Sequence, residues 1–167
     1  MVTVHPQAKI VGAEMVSYGS PVIIDDFVFL YAKARVEIGN YVHIGVSSSI
    51  VAAAPVSMAD FSTLSHGCRI FTRTEDFKGA GFGNPTVPET YRNLSEGPVE
   101  IGRFCVVGAN SVILPGVRLG EGATVGANSV ISRDLEPWGV YIGNRRAAER
   151  DREGVLESYE RFLRETS

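Results

Sequence analysis

Cysteine is scarce: Cys68 and Cys105 are the only two in 167 residues, with no CxxC spacing. Two such thiols build no disulfide framework, and both read as small core residues. Long apolar runs are missing as well. None reaches the roughly 18 residues of a membrane span, and Met1–Lys9 lacks the charged start and apolar stretch of a secretory leader. A cytoplasmic location follows by default. Positive charge is also in short supply, with 16 Lys+Arg against 19 Asp+Glu and a formal net charge of -3. A dedicated nucleic-acid binder carries a basic face and is excluded on that ground, whereas a small anionic ligand needs only local positive charge. Hydrophobic residues make up 44% of the chain, enough to bury a core within one domain.

What is present is a period. From Ile101 the chain runs IGRFCV, VGANSV, ILPGVR, LGEGAT, VGANSV, ISRDLE without a gap. Aliphatic residues open every hexad (Ile101, Val107, Ile113, Leu119, Val125, Ile131), and glycine follows four times, as Gly102, Gly108, Gly120 and Gly126. A helix drifts by about 120° per six residues and a strand repeats every two, so neither holds this period on one face. A chain that runs straight, turns a corner and starts again does hold it. Glycine is expected at the corners for its tolerance of unusual φ. Three hexads make one triangular coil, and stacked coils pair their strands in parallel at about 4.8 Å.

The N-terminal half repeats every 20 residues: Tyr18, Ile38 and Met58 fall in register, as do Val22, Val42 and Ser62, and Leu30, Ile50 and Ile70. Each such coil carries two extra residues, expected to bulge at one corner. The spacing predicts three 20-residue coils over 18–77 and two 18-residue coils over 101–136, with a partial coil before 18. Residues 78–98 carry no hexad, are rich in Gly and Pro, and read as a functional excursion loop. In the tail, 145–167, Val155, Leu156, Tyr159, Phe162 and Leu163 have helical spacing, which predicts one amphipathic helix, a lid packed on the last coil or on a neighbouring subunit. The expected domains are therefore 1–144 for the coils and 145–167 for a helical appendage.

The hexads, the segment ILPGVRLGEGATVGANSVIS and the later YIGN resemble the hexapeptide-repeat acyltransferases, over about 18–144. Within that group the chain is similar to the bacterial sugar acetyltransferases. The stretch NPTVPETYRNLSEGPVEIG is similar to enzymes of surface-polysaccharide pathways. The resemblance implies an all-β, left-handed parallel β-helix with a C-terminal α-helix. It also implies a homotrimer with active sites between subunits, acetyl-CoA as co-substrate without a metal, and a sugar acceptor near the excursion loop.

Acyl transfer needs a base for the acceptor, donors for the developing oxyanion and a groove for CoA. His66 is the first candidate base: its counterparts one and two coils earlier are Val46 and Asp26, between core columns, so it should face outward. Glu75 is the second. The galactoside and maltose enzymes carry their histidine in a segment like the stretch Phe71–Asp76 here, and glutamate stands at that position in this chain. A Glu75/Asp76 pair suits the ammonium of an amino sugar; it is equally an ordinary solvated pair opening a loop. Tyr91 and Arg92 are candidates for the acceptor or its diphosphate, with Asn84 and Pro85 shaping the turn. For CoA, Gly108–Ala109–Asn110–Ser111 recurs as Gly126–Ala127–Asn128–Ser129, a run of small residues that leaves backbone amides open to pantetheine but that the fold also requires. The resemblance places a basic element at Gly143–Ala147, with Arg145 in place of the usual proline and Arg145 and Arg146 facing CoA phosphates. Trp138 is expected to cap the last coil.

Two rivals remain at this stage. A γ-type carbonic anhydrase shares the fold but needs three converging histidines, and His5, His43 and His66 lie at different coil offsets. A non-catalytic β-helix subunit is the other, and failure to bind CoA would favour it.

Overall fold

The structure is a computed structural model that describes residues 1–166. Its sheets are three parallel walls wound from successive coils. The first wall stacks Val2–Val4, Val22–Ile24, Val42–Ile44, Thr63–Leu64, Val106–Val107, Thr124–Val125 and Gly139–Ile142. The second stacks Lys9–Val11, Phe29–Ala32, Ser49–Ala52, Arg69–Phe71, Val112–Ile113 and Val130–Ile131. The third stacks Val16–Tyr18, Val36–Ile38, Val56–Met58, Val99–Ile101 and Arg118–Leu119, continued by a bridge from Leu119 to Leu135.

Side-chain alternation explains the core. Every strand turns one face inward, and the inward residues line up coil on coil as columns. Ile24, Ile44, Leu64, Val107 and Val125 form one column; Leu30, Ile50, Ile70, Ile113 and Ile131 another; Ile38, Met58, Ile101, Leu119 and Leu135 a third. All are buried. The 20-residue register extends to the start of the chain, pairing Val2 with Val22, Ile10 with Leu30 and Tyr18 with Ile38. The expected partial coil is therefore a complete one. The two extra residues of each long coil lie between the second and third walls: eight steps separate Leu30 from Ile38, six separate Ile113 from Leu119.

Glycine takes the left-handed corner position between the second and third walls, as Gly12 and Gly116, but the other two corners overturn the expectation of glycine there. Between the first and second walls the left-handed backbone positions are Phe27, Ser47, Gly67, Asn110 and Asn128; between the third and first they are Tyr41, Phe61, Phe104, Gly122 and Trp138. Most are not glycine. The conformation costs about 1–2 kcal/mol per L-residue, and the stack holds it with backbone hydrogen bonds from coil to coil, such as Phe61 N–H to Asn40 O at 2.8 Å and Trp138 N–H to Glu121 O at 2.9 Å. The hexad glycine serves another purpose. A Cβ on Gly108 would stand 2.6 Å from the Ala127 nitrogen and the Val125 carbonyl oxygen. It is the next coil's backbone that excludes a side chain there, not an unusual φ.

Two further departures concern the insertions. The excursion begins earlier than 78 and is anchored by a ribbon: Arg73–Glu75 pairs antiparallel with Leu94–Glu96. The tail does not begin as a helix at 145. Arg145–Glu149 is a strand folded back antiparallel onto Gly139–Ile142, and the helix α1 spans Arg152–Thr166. Asp151 caps it, accepting the Gly154 N–H at 2.9 Å. Helix α1 lies along the side of the stack rather than over its last coil. Phe162 and Tyr159 meet Phe61 edge-on at centroid distances of 5.6 and 5.3 Å, Phe162 meets Tyr41 at 5.1 Å, and Tyr159 meets Phe104 at 5.4 Å. The helix thus rests on the aromatic corner residues, with the Arg103 guanidinium over Phe104 and Tyr159 at 4.4 and 4.3 Å.

Candidate active site

His66 occupies the turn between the first and second walls in the fourth coil, with its side chain exposed as expected. Its carbonyl accepts the Asn110 N–H at 2.9 Å, tying that corner to the next coil. The ring lies over Gly45: a Cβ there would come within 2.8 Å of His66 Cδ2. The absence of a side chain at 45 is what lets the imidazole rest against the wall.

Glu75 lies beyond the opposite edge of the second wall. Thr72, fully buried, is the post from which the ribbon departs; its hydroxyl accepts the N–H groups of Ala53 and Ala54 at 2.8 and 2.9 Å, and its carbonyl accepts Gly97 N–H at 2.9 Å. One strand of the second wall and its flanking turns separate His66 from Thr72, roughly 15–20 Å of extended chain. The two candidate bases are therefore not brought together within one protomer.

The ribbon is held by charge. Arg73 donates to Glu89 and Glu96, and its pKa is raised above the ordinary guanidinium value chiefly by the Glu96 bond. Arg92 donates from Nε to Glu75 Oε1 at 2.9 Å, and from Nη2 to the same oxygen. Both side chains are largely buried, and Glu75 Oε2 is buried with no partner among the described residues. A cavity of about 290 Å³ adjoins the pair, lined also by Phe71, Arg73, Thr74, Pro85 and Leu94. Arg92, a candidate for the acceptor or its diphosphate, is thus engaged with Glu75 within the ribbon.

Asp76 closes the ribbon, accepting Asn93 Nδ2 at 2.8 Å and Lys78 N–H at 2.9 Å. Asn84 accepts from the Thr86 N–H and hydroxyl at 2.9 and 2.8 Å, the side-chain turn that its position before Pro85 predicts. Tyr91 stands exposed at the rim.

Along the corner above His66, Ala109–Asn110 and Ala127–Asn128 stack as successive turns, with Asn128 N–H donating to Ala109 O at 2.8 Å. Gly108 and Gly126 lead into them. Ser111 does not share this surface: it is fully buried, its hydroxyl on the Gly126 carbonyl at 3.1 Å. It belongs to the core and is removed from the groove. Ser129 is likewise turned inward, on Gly126 O at 2.6 Å. Arg145 is exposed beside the final turn. Arg146 donates to both oxygens of Glu149 and to Pro137 O, and Glu149 raises its pKa. Trp138 sits over Gly122 at the end of the aromatic corner, as a cap.

Two features escaped the sequence reading. His43 Nε2 and Asp25 Oδ2 lie 2.9 Å apart on the outer face of the first wall. The aromatic corner under α1 borders a cavity of about 610 Å³, with Phe61, Phe104, Val155, Tyr159 and Phe162 on its walls. Carrying the register forward would have found that corner, since Tyr41, Phe61 and Phe104 occupy one position of three successive coils. The two charged groups on its walls are engaged: Arg150 donates to the Phe104 and Gly122 carbonyls, burial lowers its pKa, and Asp151 caps α1.

Residues 98–133 match the bacterial transferase hexapeptide family (six repeats). The chain is 37% identical over 143 residues to a dTDP-4-amino-4,6-dideoxy-D-glucose acyltransferase of Escherichia coli, covering 85% of this chain and 74% of that one. Among solved structures it is similar to AntD, an N-acyltransferase from Bacillus cereus. A variant of AntD in complex with dTDP-4-amino-4,6-dideoxyglucose and coenzyme A gives a TM-score of 0.93 at 31% identity, covering 98% of this chain and 88% of that one. AntD in complex with dTDP and 3-hydroxybutyryl-CoA gives 0.90 at 30% identity, with the same coverage.

Proposed function

Since this chain belongs to the hexapeptide-repeat sugar acyltransferases, we propose that it transfers an acyl group from acyl-CoA to the amino group of a deoxyaminohexose linked to a nucleoside diphosphate. The enzyme is an acyl-CoA-dependent nucleotide-sugar acyltransferase; the amine as acceptor and acetyl as the acyl group are the finer parts of the reading. The observation that carries it is Glu75. A buried carboxylate with one unpaired oxygen, beside a cavity lined by Phe71, Pro85 and Leu94 together with Arg73, Thr74 and Arg92, suits an ammonium on a sugar with few hydroxyls.

In this reading the sugar ammonium docks on Glu75 and gives up one proton to solvent. The neutral amine attacks the thioester carbonyl and the C–N bond forms. His66 is the base that takes the second N–H proton and hands it to the thiolate as the C–S bond breaks, so that CoA leaves as the thiol. The small turns at Gly108–Ala109 and Gly126–Ala127 form the wall along which pantetheine lies, and Arg145 meets the CoA phosphates. Because His66 and Glu75 are far apart in one protomer, the site is completed between copies of a homotrimer. The outer face of the second wall supports this, with Phe29 and Val130 exposed and Tyr31, Val51, Phe71 and Val112 half-covered, whereas the third wall presents Ser17, Glu37, Glu100 and Arg118. A surface-polysaccharide precursor is the proposed product, and the cytoplasm, where acyl-CoA is made, the proposed location.

The test follows free thiol release from acetyl-CoA with dTDP-amino sugars as acceptors. His66→Ala and Glu75→Gln are each expected to lower kcat/KM by about 10²–10⁴-fold, and full activity in both would end the proposal.

A further inference from the structure

We infer that Arg92 is a positioning residue for this transfer: by holding one oxygen of Glu75 it leaves the other as the oxygen that meets the acceptor. The inference rests on the reading of Glu75 given above. Glu75 and Leu94 are opposed across the ribbon, and Arg92 precedes Leu94 by two residues, which puts it on the same ribbon face and diagonal to Glu75. A guanidinium that meets a carboxylate commonly spreads its donors over both oxygens. Here Nε and Nη2 both donate to Oε1, and Oε2 is buried and unpartnered among the described residues. Leaving a buried carboxylate oxygen unpaired is costly, so its persistence calls for a donor that arrives from outside.

The surroundings narrow that donor. The pair is only 12% and 14% exposed. The adjoining cavity, about 290 Å³, falls near the lower end of small-ligand sites. Phe71, Pro85 and Leu94 offer it no hydrogen bonds from their side chains, and the Thr74 hydroxyl donates to the Glu75 carbonyl at 3.4 Å. The other charged group on its wall, Arg73, is taken up by Glu89 at 2.7 Å and by Glu96. Glu75 is left as the acidic acceptor, and Arg92 fixes its rotation. Arg92 therefore acts through Glu75 and not on the diphosphate.

A double-mutant cycle tests this, with acetyl-CoA and dTDP-4-amino-4,6-dideoxyglucose as substrates. R92Q is expected to lower kcat by about 10–100-fold with the Kd for CoA unchanged, and R92K to recover part of the loss. In the E75Q background, adding R92Q should cost nothing further, as it must for a residue that works only through Glu75. R92K makes the same comparison should R92Q fold poorly, because its loss must also vanish in the E75Q background. Multiplicative losses on top of an impaired E75Q would overturn the role of Arg92 alone, as would an R92Q that raises KM for the nucleotide sugar at unchanged kcat. Full activity of E75Q would instead remove the reading of Glu75 beneath it.

Discussion

Single atoms decide the stacking. Gly108 has no room for a Cβ because the backbone of the next coil stands 2.6 Å away. Gly108→Ala is therefore expected to destabilise by about 1–3 kcal/mol, an overpacking cost. In a chain of this size that lowers Tm by roughly 2–4 °C per kcal/mol, readable by differential scanning calorimetry. Cys105 is a second case. It is completely buried, its Sγ is 3.1 Å from Gly120 O, and burial pushes the thiol up to about 12. Folding disfavours its ionisation, so its contribution to stability is whole below the ordinary thiol pKa and is lost as pH rises from there toward about 12. Iodoacetamide at pH 8 should leave Cys105 unmodified in the folded protein and alkylate it in urea. The aliphatic columns were legible in the sequence because one residue in each hexad opens it and always faces in. The reason for the glycines was not, because a repeat reveals which residue recurs but not which atoms of the next coil stand over it.

At the scale of elements, coils were easier to read than insertions. A coil needs only its own 18 or 20 residues and a neighbour of like pattern. The ribbon joins Glu75 to Leu94 across a segment with no period of its own, and Arg92 reaches Glu75 through that pairing, so neither contact has a local signature. The tail illustrates the same limit: the stripe from Val155 to Leu163 predicted a helix correctly, whereas Arg145–Glu149 has no apolar alternation and is a strand because Gly139–Ile142 offers it an edge. Helix α1 adheres through aromatic edges at 5.1–5.6 Å. Phe162→Ala should cost about 1–3 kcal/mol, seen as a lower urea midpoint, with kcat within about twofold of the parent.

For the whole molecule, the central question is whether a site draws on two copies. His66 and Glu75 flank one wall from opposite edges, and the proposed homotrimer, if a ring of heterologous contacts, would place one edge of each copy against the other edge of its neighbour. Mixing inactive His66→Ala and Glu75→Gln protomers at equal ratio, with unfolding and reassembly, should then restore about one quarter of the parent activity, since one junction in four pairs an intact histidine with an intact glutamate. Absence of recovery in mixed assemblies, confirmed by native mass spectrometry, would place both residues in separate roles within a protomer.

The two ends of the stack are unlike. At the C-terminal end Arg145–Glu149 reverses direction and occupies the edge of Gly139–Ile142, with strand 145–149 itself exposed and carrying Arg145, Arg146 and Glu149. At the N-terminal end Val2–Val4 pairs with Val22–Ile24 alone among the described residues, and Met1, Val2 and Val4 are exposed. A bare apolar strand is a template for further strands, and a charged, back-folded one is not. Among the described residues the first wall is therefore open to a further strand at Val2–Val4 and closed at its other end, and a lysine introduced at Val2 or Val4 is expected to lower strand addition there.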